Sequence, residues 1–512
     1  MPSPWHRTTG TPRRRTRNHG GFADTSATLL AYHNPRSIRC LLVNGPGETA
    51  GIAHAARADD FPAPDLRIEG ATILTLEAGS EPIETGFVDI FGGRIIAVGP
   101  VSGRPTTSPQ RLIDAAGSIV LPGLIDAHTH LFQVAARGLG DGLGLAEWLS
   151  THMIPLALEL RRHEMVALSE LGALHALRSG TVAAINHHYG GRREPEDAVA
   201  VAGAMERVGL AGAVARMMVG ERTDAAEAFG LPAANFAYTN AEELELTEQA
   251  MLAKPAGPVA VWPGPANTAY CSDEILAAGA DLARRHGVRW HTHAAEDAFA
   301  ADVTHRLRDG RRTLALLEDL GVLDSDAVLA HAVWLDDAEI DLAGERRPHL
   351  VHNPLSNAYL GSGIMRLLEL RARGVPLAAG TDGCAVAGQD MFTVARVGAL
   401  LQRVAATDAA AISVGEMIKL ISGGGAAALG DGSGTIAVGE PADLIVVNTS
   451  ALHHEPSNDP LAGAGWFATG GDVTTVIVGG QVVVAGGAST TVDEAEVRAK
   501  GREAARAVMA RL

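Results

Sequence analysis

Cysteine and lysine are both scarce in this chain, and the scarcity excludes several classes of protein. Of 512 residues only three are cysteines and three are lysines. Three cysteines are too few for a disulfide framework or a thiolate zinc site. We therefore expect a reducing, cytoplasmic setting. Apolar runs of about 18 residues, the length needed to cross a membrane, are also missing.

Positive charge is in short supply as well. The formal net charge is −17, which makes a nucleic acid an unfavourable partner on electrostatic grounds. The proportions of hydrophobic and charged residues, 46% and 20%, are those of a folded globular protein with one large domain and a smaller one. We expect a small-molecule substrate, no nucleic-acid or membrane partner, and a homo-oligomer, a dimer or larger.

The chain divides by composition into a polar start, two β-rich ends and a mixed centre. Residues 1–62 are rich in Arg, Gly, Pro and Ala without sustained periodicity, which predicts a disordered or loosely ordered extension. Short β-type runs separated by glycine turns occupy 63–121 and return in 431–490. We expect these two segments to form one β-sandwich, followed by a C-terminal helix over 491–512.

The central segment, residues 122–430, alternates strand-like and helical runs. Eight short apolar runs, from SIVLPGLIDAHTH to VPLAAGTDG, lack polar alternation, as strands buried on both faces do. Eight β/α units in about 300 residues predict an α/β fold, a (β/α)8 TIM barrel. A doubly wound open sheet is the alternative.

Histidines and acidic residues cluster where these strands end. His128 and His130 lie in the first HTH triplet, at positions i and i+2 of a strand, so both side chains face the same side. A second HTH, His291 to His293, ends the fifth strand, and Asp382 follows the eighth. Because buried imidazoles need partners, the convergence of these residues on one barrel mouth predicts a divalent metal site.

Six motifs in order resemble those of the amidohydrolase superfamily, in the branch of chlorohydrolases and aminohydrolases that includes cytosine, guanine, 8-oxoguanine and adenosine-derivative deaminases. The motifs are PGLIDAHTH, the HAAE that begins at His293, the strand-six His331, the HNPLSN that begins at His352, the GTD that ends at Asp382, and GTIAVGEPADLIVV. The similarity covers about residues 65–490.

The resemblance implies a set of metal ligands: His128, His130, His293 and Asp382. It also implies that His291 is not a ligand but supports the ligands from behind or lies buried in the core. Two-metal relatives bridge their ions with a carboxylated lysine at the end of strand four, and strand four here has none. We therefore expect one divalent ion, Zn²⁺ or alternatively Fe²⁺.

The same resemblance assigns the catalytic work to Glu296, His331 and Asp382. A bound divalent ion lowers the pKa of water from about 16 toward 7. Asp382 can then take a proton from that water, His331 can orient it, and Glu296 can protonate the ring nitrogen and then the leaving ammonia. Without the resemblance, Glu296 could equally be a surface carboxylate at a helix start.

Substrate contacts are predicted less sharply. Gln133 and Arg137 follow strand one and either bind a ring oxygen or tie down the loop, and Asn186 and His187 face the pocket from strand two. Adenosine-type deaminases of this branch have a ribose-binding Glu two residues after the Pro of W-L-x(5)-P, where this chain has Ala157. This departure favours free bases over nucleosides.

We therefore expect a metal-dependent hydrolase of non-peptide C–N bonds that deaminates an amino-substituted N-heterocycle such as an oxopurine, pyrimidine or pterin. One alternative is an s-triazine-type hydrolase that releases chloride or an alkylamine. The other is a deaminase of S-adenosylhomocysteine or methylthioadenosine.

Overall fold

A computed structural model describes residues 28–34, 37–44, 48–49, 63–189, 194–386, 388–432 and 434–512. The predicted extension over 1–62 therefore lies largely outside the described residues. Within it, strands β1 (Thr28–Asn34), β2 (Ser37–Asn44) and β3 (Glu48–Thr49) form a small antiparallel sheet that the sequence patterns did not predict.

The first β-rich segment supplies five strands. They are β4 (Leu66–Ile73), β5 (Ile83–Phe91), β6 (Arg94–Pro100), β7 (Arg111–Asp114) and β8 (Ser118–Pro122). Strands β5 and β6 form a tight hairpin in which Phe91 pairs with Arg94. Gly92 and Gly93 make the turn at positive φ (58° and 79°), which a two-residue hairpin turn of this kind requires.

The central segment forms the barrel. Its strands are β9 (Leu124–His130), β10 (Thr181–His188), β11 (Ala211–Met218), β12 (Val259–Pro265), β13 (Trp290–Ala294), β14 (Ala327–His331), β15 (His349–His352) and β16 (Leu377–Ala379), and the eighth strand continues as β17 (Asp382–Gly383).

Neighbouring barrel strands are parallel all the way round. Strand β16 pairs with β15, and β17 pairs with β9 through Asp382 and Thr129. A parallel bridge between Asn267 and His293 joins the fourth and fifth strands. The (β/α)8 barrel expected from the eight apolar runs is confirmed, and all eight strands carry their polar ends to the same mouth.

The second β-rich segment completes the smaller domain with β18 (Leu444–Asn448), β19 (Val473–Val478), β20 (Gln481–Ala485) and β21 (Ala488–Ser489). Strand β18 pairs antiparallel with β8 along its whole length, so both ends of the chain build one nine-stranded sheet. Some of its apolar residues, among them Leu444 and Val446, form a separate core, while others, such as Ile445 and Val447, pack into the main core of the molecule. The composite β-domain predicted from the two ends is thus confirmed.

Helices surround the barrel and connect its strands. They are α1 (Leu145–Trp148), α2 (Ile154–Glu159), α3 (Arg162–Arg178), α4 (Pro195–Val208), α5 (Asp224–Ala228), α6 (Asn240–Ala253), α7 (Asp273–His286), α8 (Ala298–Leu307), α9 (Thr313–Asp319), α10 (Asp337–Arg346), α11 (Pro354–Tyr359), α12 (Leu367–Ala372), α13 (Met391–Ala406), α14 (Val414–Lys419), α15 (Gly425–Leu429), α16 (Pro460–Phe467) and α17 (Glu494–Met509). Among the described residues, none of the helices combines the length and the apolar character needed to cross a bilayer.

The last helix, α17, is fixed at both ends. Asp493 caps its start by accepting hydrogen bonds from the backbone N–H groups of residues 495 and 496. Arg178 of α3 pairs with Glu494 at 2.9 Å, and Arg511 pairs with Glu164 at 2.5 Å. The last helix of the chain is therefore held against α3, which lies between the first and second barrel strands.

Candidate metal centre and active site

Four buried side chains meet at the carboxyl ends of the barrel strands. They are His128 and His130 on β9, His293 on β13 and Asp382 on β17, and their ligand atoms lie within 4.8 Å of one another. The Nε2 atoms of His130 and His293 are 3.2 Å apart. Asp382 Oδ1 is 3.1 Å from His128 Nε2 and 3.2 Å from His130 Nε2. This is the set of four that the resemblance implied.

Each histidine ring has a partner on its Nδ1 side, and for His130 and His293 that partner fixes the tautomer. The Nδ1 contacts are His128 to His291 Nε2 at 2.7 Å, His130 to the His187 carbonyl at 2.6 Å, and His293 to the Ala266 carbonyl at 2.6 Å. A carbonyl only accepts, so Nδ1 of His130 and His293 must carry the proton, and Nε2 then presents a lone pair to the centre.

The expected charge of the buried histidine rings also favours a bound cation. Burial disfavours the imidazolium form, so the pKa of His128 falls to about 3 and that of His293 lies well below its usual value. Lone pairs of neutral imidazoles crowded at 3.2 Å would repel unless a cation lay between them. Three neutral imidazoles and a carboxylate are a donor set that fits zinc or a similar divalent ion.

Asp382 is held in an unusual conformation by its neighbours. Its φ is 62°, a left-handed value rare for residues other than glycine, and such strain is typical of functional sites. Ser356 Oγ donates a hydrogen bond to Oδ2. Burial opposes ionisation, but the close approach of the His128 and His130 rings to Oδ1 holds the pKa of Asp382 well below its usual value. The carboxylate is therefore ionised and ready to bind a cation.

Asp126 fastens the first strand to the eighth just behind this centre. Its carboxylate accepts hydrogen bonds from Thr381 N at 2.9 Å and Thr381 Oγ1 at 2.5 Å, and from His128 N at 3.3 Å. These bonds join the residues that precede two of the ligands. Asp126 lies in the PGLIDAHTH motif without a role predicted from the sequence, although its place two residues before His128 could have identified it.

Glu296 and His331 lie beside the ligand cluster. His331 Nε2 is 3.7 Å from Glu296 Oε1 and 3.9 Å from Asp382 Oδ2, and its Nδ1 contacts Asn357 Oδ1 at 2.9 Å. Burial, and then the negative charge of Asp382, raise the pKa of Glu296 well above its usual value. A protonated acid thus faces an ionised base across a neutral imidazole. That pairing is what acid–base catalysis requires.

A cavity above the cluster opens onto Glu296 and Asp382. The other side chains that line it are His130, Gln133, Leu145, Trp148, Leu149, Ile154, Tyr189, Met217, Asn267, Tyr270, His293 and Leu360. Tyr189, Asn267 and Tyr270 were not predicted from the sequence. Each follows a barrel strand within five residues, and that position could have identified them.

The four predicted substrate contacts take different positions. Gln133 lines the cavity and donates from Nε2 to the Tyr189 hydroxyl at 2.5 Å. Arg137 lies outside the cavity lining, where it donates to the Cys384 carbonyl at 3.2 Å and contacts His175 Nδ1 at 2.9 Å. Asn186 accepts a hydrogen bond from the backbone N–H of residue 131. Of the four, Gln133 lines the cavity, while Arg137, Asn186 and His187 are not among the lining residues, and all four assignments as substrate contacts stay predictions.

His187 lies behind the metal ligands. Its Nε2 donates to the Gly264 carbonyl at 3.1 Å, and its ring centroid is 4.8 Å from that of His293. His291 occupies the same layer, next to His128. Both rings therefore back the cluster and do not face the cavity.

Ala157, the position where the resemblance implies a ribose-binding carboxylate in adenosine-type deaminases, is buried in α2. Glu159, the nearest carboxylate on that helix, lies 3.7 Å from Arg511 at the chain terminus, and it is absent from the cavity lining. The helix contributes only Ile154 to the cavity. In this structure α2 thus presents an apolar side chain, Ile154, to the cavity.

Comparison with known proteins shows which family this chain belongs to. Residues 119–483 match the model of the amidohydrolase family. A 5'-deoxyadenosine deaminase of Methanosarcina acetivorans is 31% identical over 448 residues, covering 87% of this chain and 99% of the relative. A 5-methylthioadenosine/S-adenosylhomocysteine deaminase of Syntrophobacter fumaroxidans is 33% identical over 452 residues, covering 87% and 98%.

A solved structure with a similar fold supports the same family. A zinc-bound crystal structure of an adenosine deaminase from Xanthomonas campestris superimposes with a TM-score of 0.80 at 28% identity, covering 88% of this chain and 100% of the other. The buried ligand cluster and these relatives together support a divalent metal site. The chain belongs to the amidohydrolase family and is an enzyme that hydrolyses non-peptide carbon–nitrogen bonds.

Proposed function

We propose that the enzyme deaminates an amino-substituted purine-like ring by means of one zinc ion held by His128, His130, His293 and Asp382. The observation that carries the proposal is the position of Glu296. This buried carboxyl, with its raised pKa, lies within reach of the same cavity as the ligand cluster. The two relatives reported above are named as deaminases of adenosine derivatives, which supports a purine ring as part of the substrate.

The ion would supply a water of lowered pKa next to the cavity. Asp382 accepts a proton from that water, and His331, held by Asn357, orients it toward the ring carbon that bears the amino group. Glu296 donates its proton to the adjacent ring nitrogen, so that no negative charge builds up on the ring when the water oxygen adds to it. The proton held by Asp382 moves to the leaving nitrogen, the C–N bond breaks and ammonia departs. The hydroxyl proton of the adduct then passes to the Glu296 carboxylate, which forms the ring carbonyl and restores the acid.

A single ion is favoured by the distribution of lysine. Lys254 directly follows α6 and pairs with Glu206 at 2.8 Å, while Lys419 and Lys500 lie in α14 and α17. None of the three lies on a barrel strand, so no carboxylated lysine can bridge a second ion. The zinc identity, the cytoplasmic location and the homo-oligomeric state stay predictions.

Free bases are the proposed preference over nucleosides. Sites built to bind hydroxyls discriminate strongly, because their polar groups are otherwise unpaired. The residues that α1, α2 and the turn between them contribute to the cavity include Leu145, Leu149 and Ile154, all apolar, and Glu159 lies 3.7 Å from Arg511 instead of in the cavity lining.

The experiment is ammonia release by zinc-loaded enzyme across adenine, guanine, 8-oxoguanine, cytosine, a pterin, an aminated s-triazine and several adenosine derivatives. We expect turnover of at least one amino-purine, which Glu296→Gln abolishes while bound zinc stays at wild-type level. Glu345→Gln, an exposed glutamate on α10, is the matched control and should change neither quantity. If Glu296→Gln keeps wild-type turnover, the assignment of the acid is wrong.

The proposed preference for free bases over nucleosides is tested separately, in the same set of assays. It predicts a higher kcat/KM for a free purine base than for adenosine, 5'-deoxyadenosine or methylthioadenosine. If any nucleoside is used better than every free base, the sugar is bound by groups other than α2, and the substrate follows the names of the relatives.

A further inference from the structure

A second group of metal-ligating side chains lies outside the barrel, at one end of the composite sheet. His453 and His454 end a 3₁₀ turn (Leu452–His454) that follows β18, and Asp472 ends another (Gly470–Asp472) that precedes β19. Nε2 of His453 is 3.1 Å, and Nε2 of His454 3.5 Å, from Asp472 Oδ2. We call these three residues the C-terminal histidine cluster. Its ligand atoms all lie within 4.8 Å of one another.

Hydrogen bonding within the cluster leaves one nitrogen unsatisfied. Asp472 Oδ2 already accepts from Thr469 N at 2.8 Å and Thr469 Oγ1 at 2.9 Å, and it contacts His453 at 3.1 Å. His454 is only 4% exposed, and its Nε2 has no hydrogen-bond partner among the described residues. Buried polar atoms are rarely left unpaired, so this nitrogen needs an explanation.

We propose that the C-terminal histidine cluster binds a second divalent transition-metal ion, distinct from the ion in the barrel. Ligand atoms about 2.0–2.1 Å from a tetrahedral zinc ion are roughly 3.3 Å apart, and the two His–Asp distances lie on either side of that value. Two imidazoles select zinc, nickel, cobalt or copper over calcium and magnesium, which prefer oxygen ligands.

The surroundings fit an exchangeable site. The side chain of His453 is 48% exposed and gives an ion a route from solvent, while Asp472 is held in place by the two bonds from Thr469. Three protein ligands leave a further position for water. A bound ion would join the turn after β18 to the turn before β19, which are 15 or more residues apart in sequence, and so would stabilise the folded state by linkage.

The test is zinc titration of untagged full-length protein that retains its barrel ion, with bound metal measured after gel filtration. Wild type should take up one more ion per chain than His454→Gln, and zinc should raise the Tm of wild type but not of the variant. His305→Gln, an exposed histidine on α8, is the control and should behave as wild type.

Cobalt substitution locates the ion independently. Wild type with zinc in the barrel should show a visible cobalt band that His453→Gln and His454→Gln both lack, while deamination rates stay the same in all three proteins. Both variants leave Asp472 and its two hydrogen bonds from Thr469 in place, so the turn before β19 keeps the contacts that hold it. Equal zinc uptake by wild type and His454→Gln, or a cobalt band unchanged in both variants, would overturn the proposal.

Discussion

Replacing His291 by alanine removes the side chain that contacts Nδ1 of His128. The contact between His128 Nδ1 and His291 Nε2 is 2.7 Å long, and both residues are fully buried. Leaving a buried donor without its partner costs about 1–3 kcal/mol. At about 1.4 kcal/mol per factor of ten, His291→Ala should weaken zinc binding about 5- to 150-fold. Losses of this size are usual for groups that orient a metal ligand.

The matching experiment is competition for zinc with a chromophoric chelator. His293→Ala, which deletes a ligand, should lose zinc outright, whereas His291→Ala should keep its ion in the absence of chelator. His291→Gln offers an amide oxygen that can accept from His128 and should recover part of the affinity. If His291→Ala binds zinc as tightly as wild type, or if it fails as His293→Ala does, the assignment of His291 as a supporting residue is wrong.

Three further results are expected. Asn357→Ala should lower kcat about 10- to 100-fold with zinc content unchanged, because His331 loses the contact that fixes its ring; a loss of zinc would instead mean that Asn357 supports the whole centre. Glu296 acts as an acid only while protonated, so kcat/KM should fall as the pH rises through its raised pKa, and a pH profile without an alkaline limb would contradict this role. Deleting residues 1–62 should leave zinc content and activity intact, since the composite sheet and the barrel begin with β4; aggregation of the shortened protein would show that the segment is structural.

Features set by short-range pattern were predictable from the sequence. The eight barrel strands are short runs without polar alternation, and the i, i+2 spacing of His128 and His130 puts both side chains on one side of a strand. The family motifs then placed Asp382 and Glu296 in the same mouth, where the structure has them.

Features that depend on packing between distant segments were not predictable. Asp126 bonds to Thr381, 255 positions away, and nothing local in either stretch indicates the pair. Arg137 follows a ligand strand, as a substrate contact would, yet its side chain turns to the Cys384 carbonyl. The direction of a long side chain on a loop is decided by the acceptors that other loops bring near, which a single sequence does not reveal.

The most direct test of the account is reconstitution of metal-depleted enzyme, with bound zinc and ammonia release measured on the same samples. The account predicts that activity rises in proportion to zinc up to one ion per chain and then stays level, even if a further ion binds elsewhere. Activity in the metal-free enzyme, or activity that begins only with a second ion per chain, would contradict a single ion held by His128, His130, His293 and Asp382.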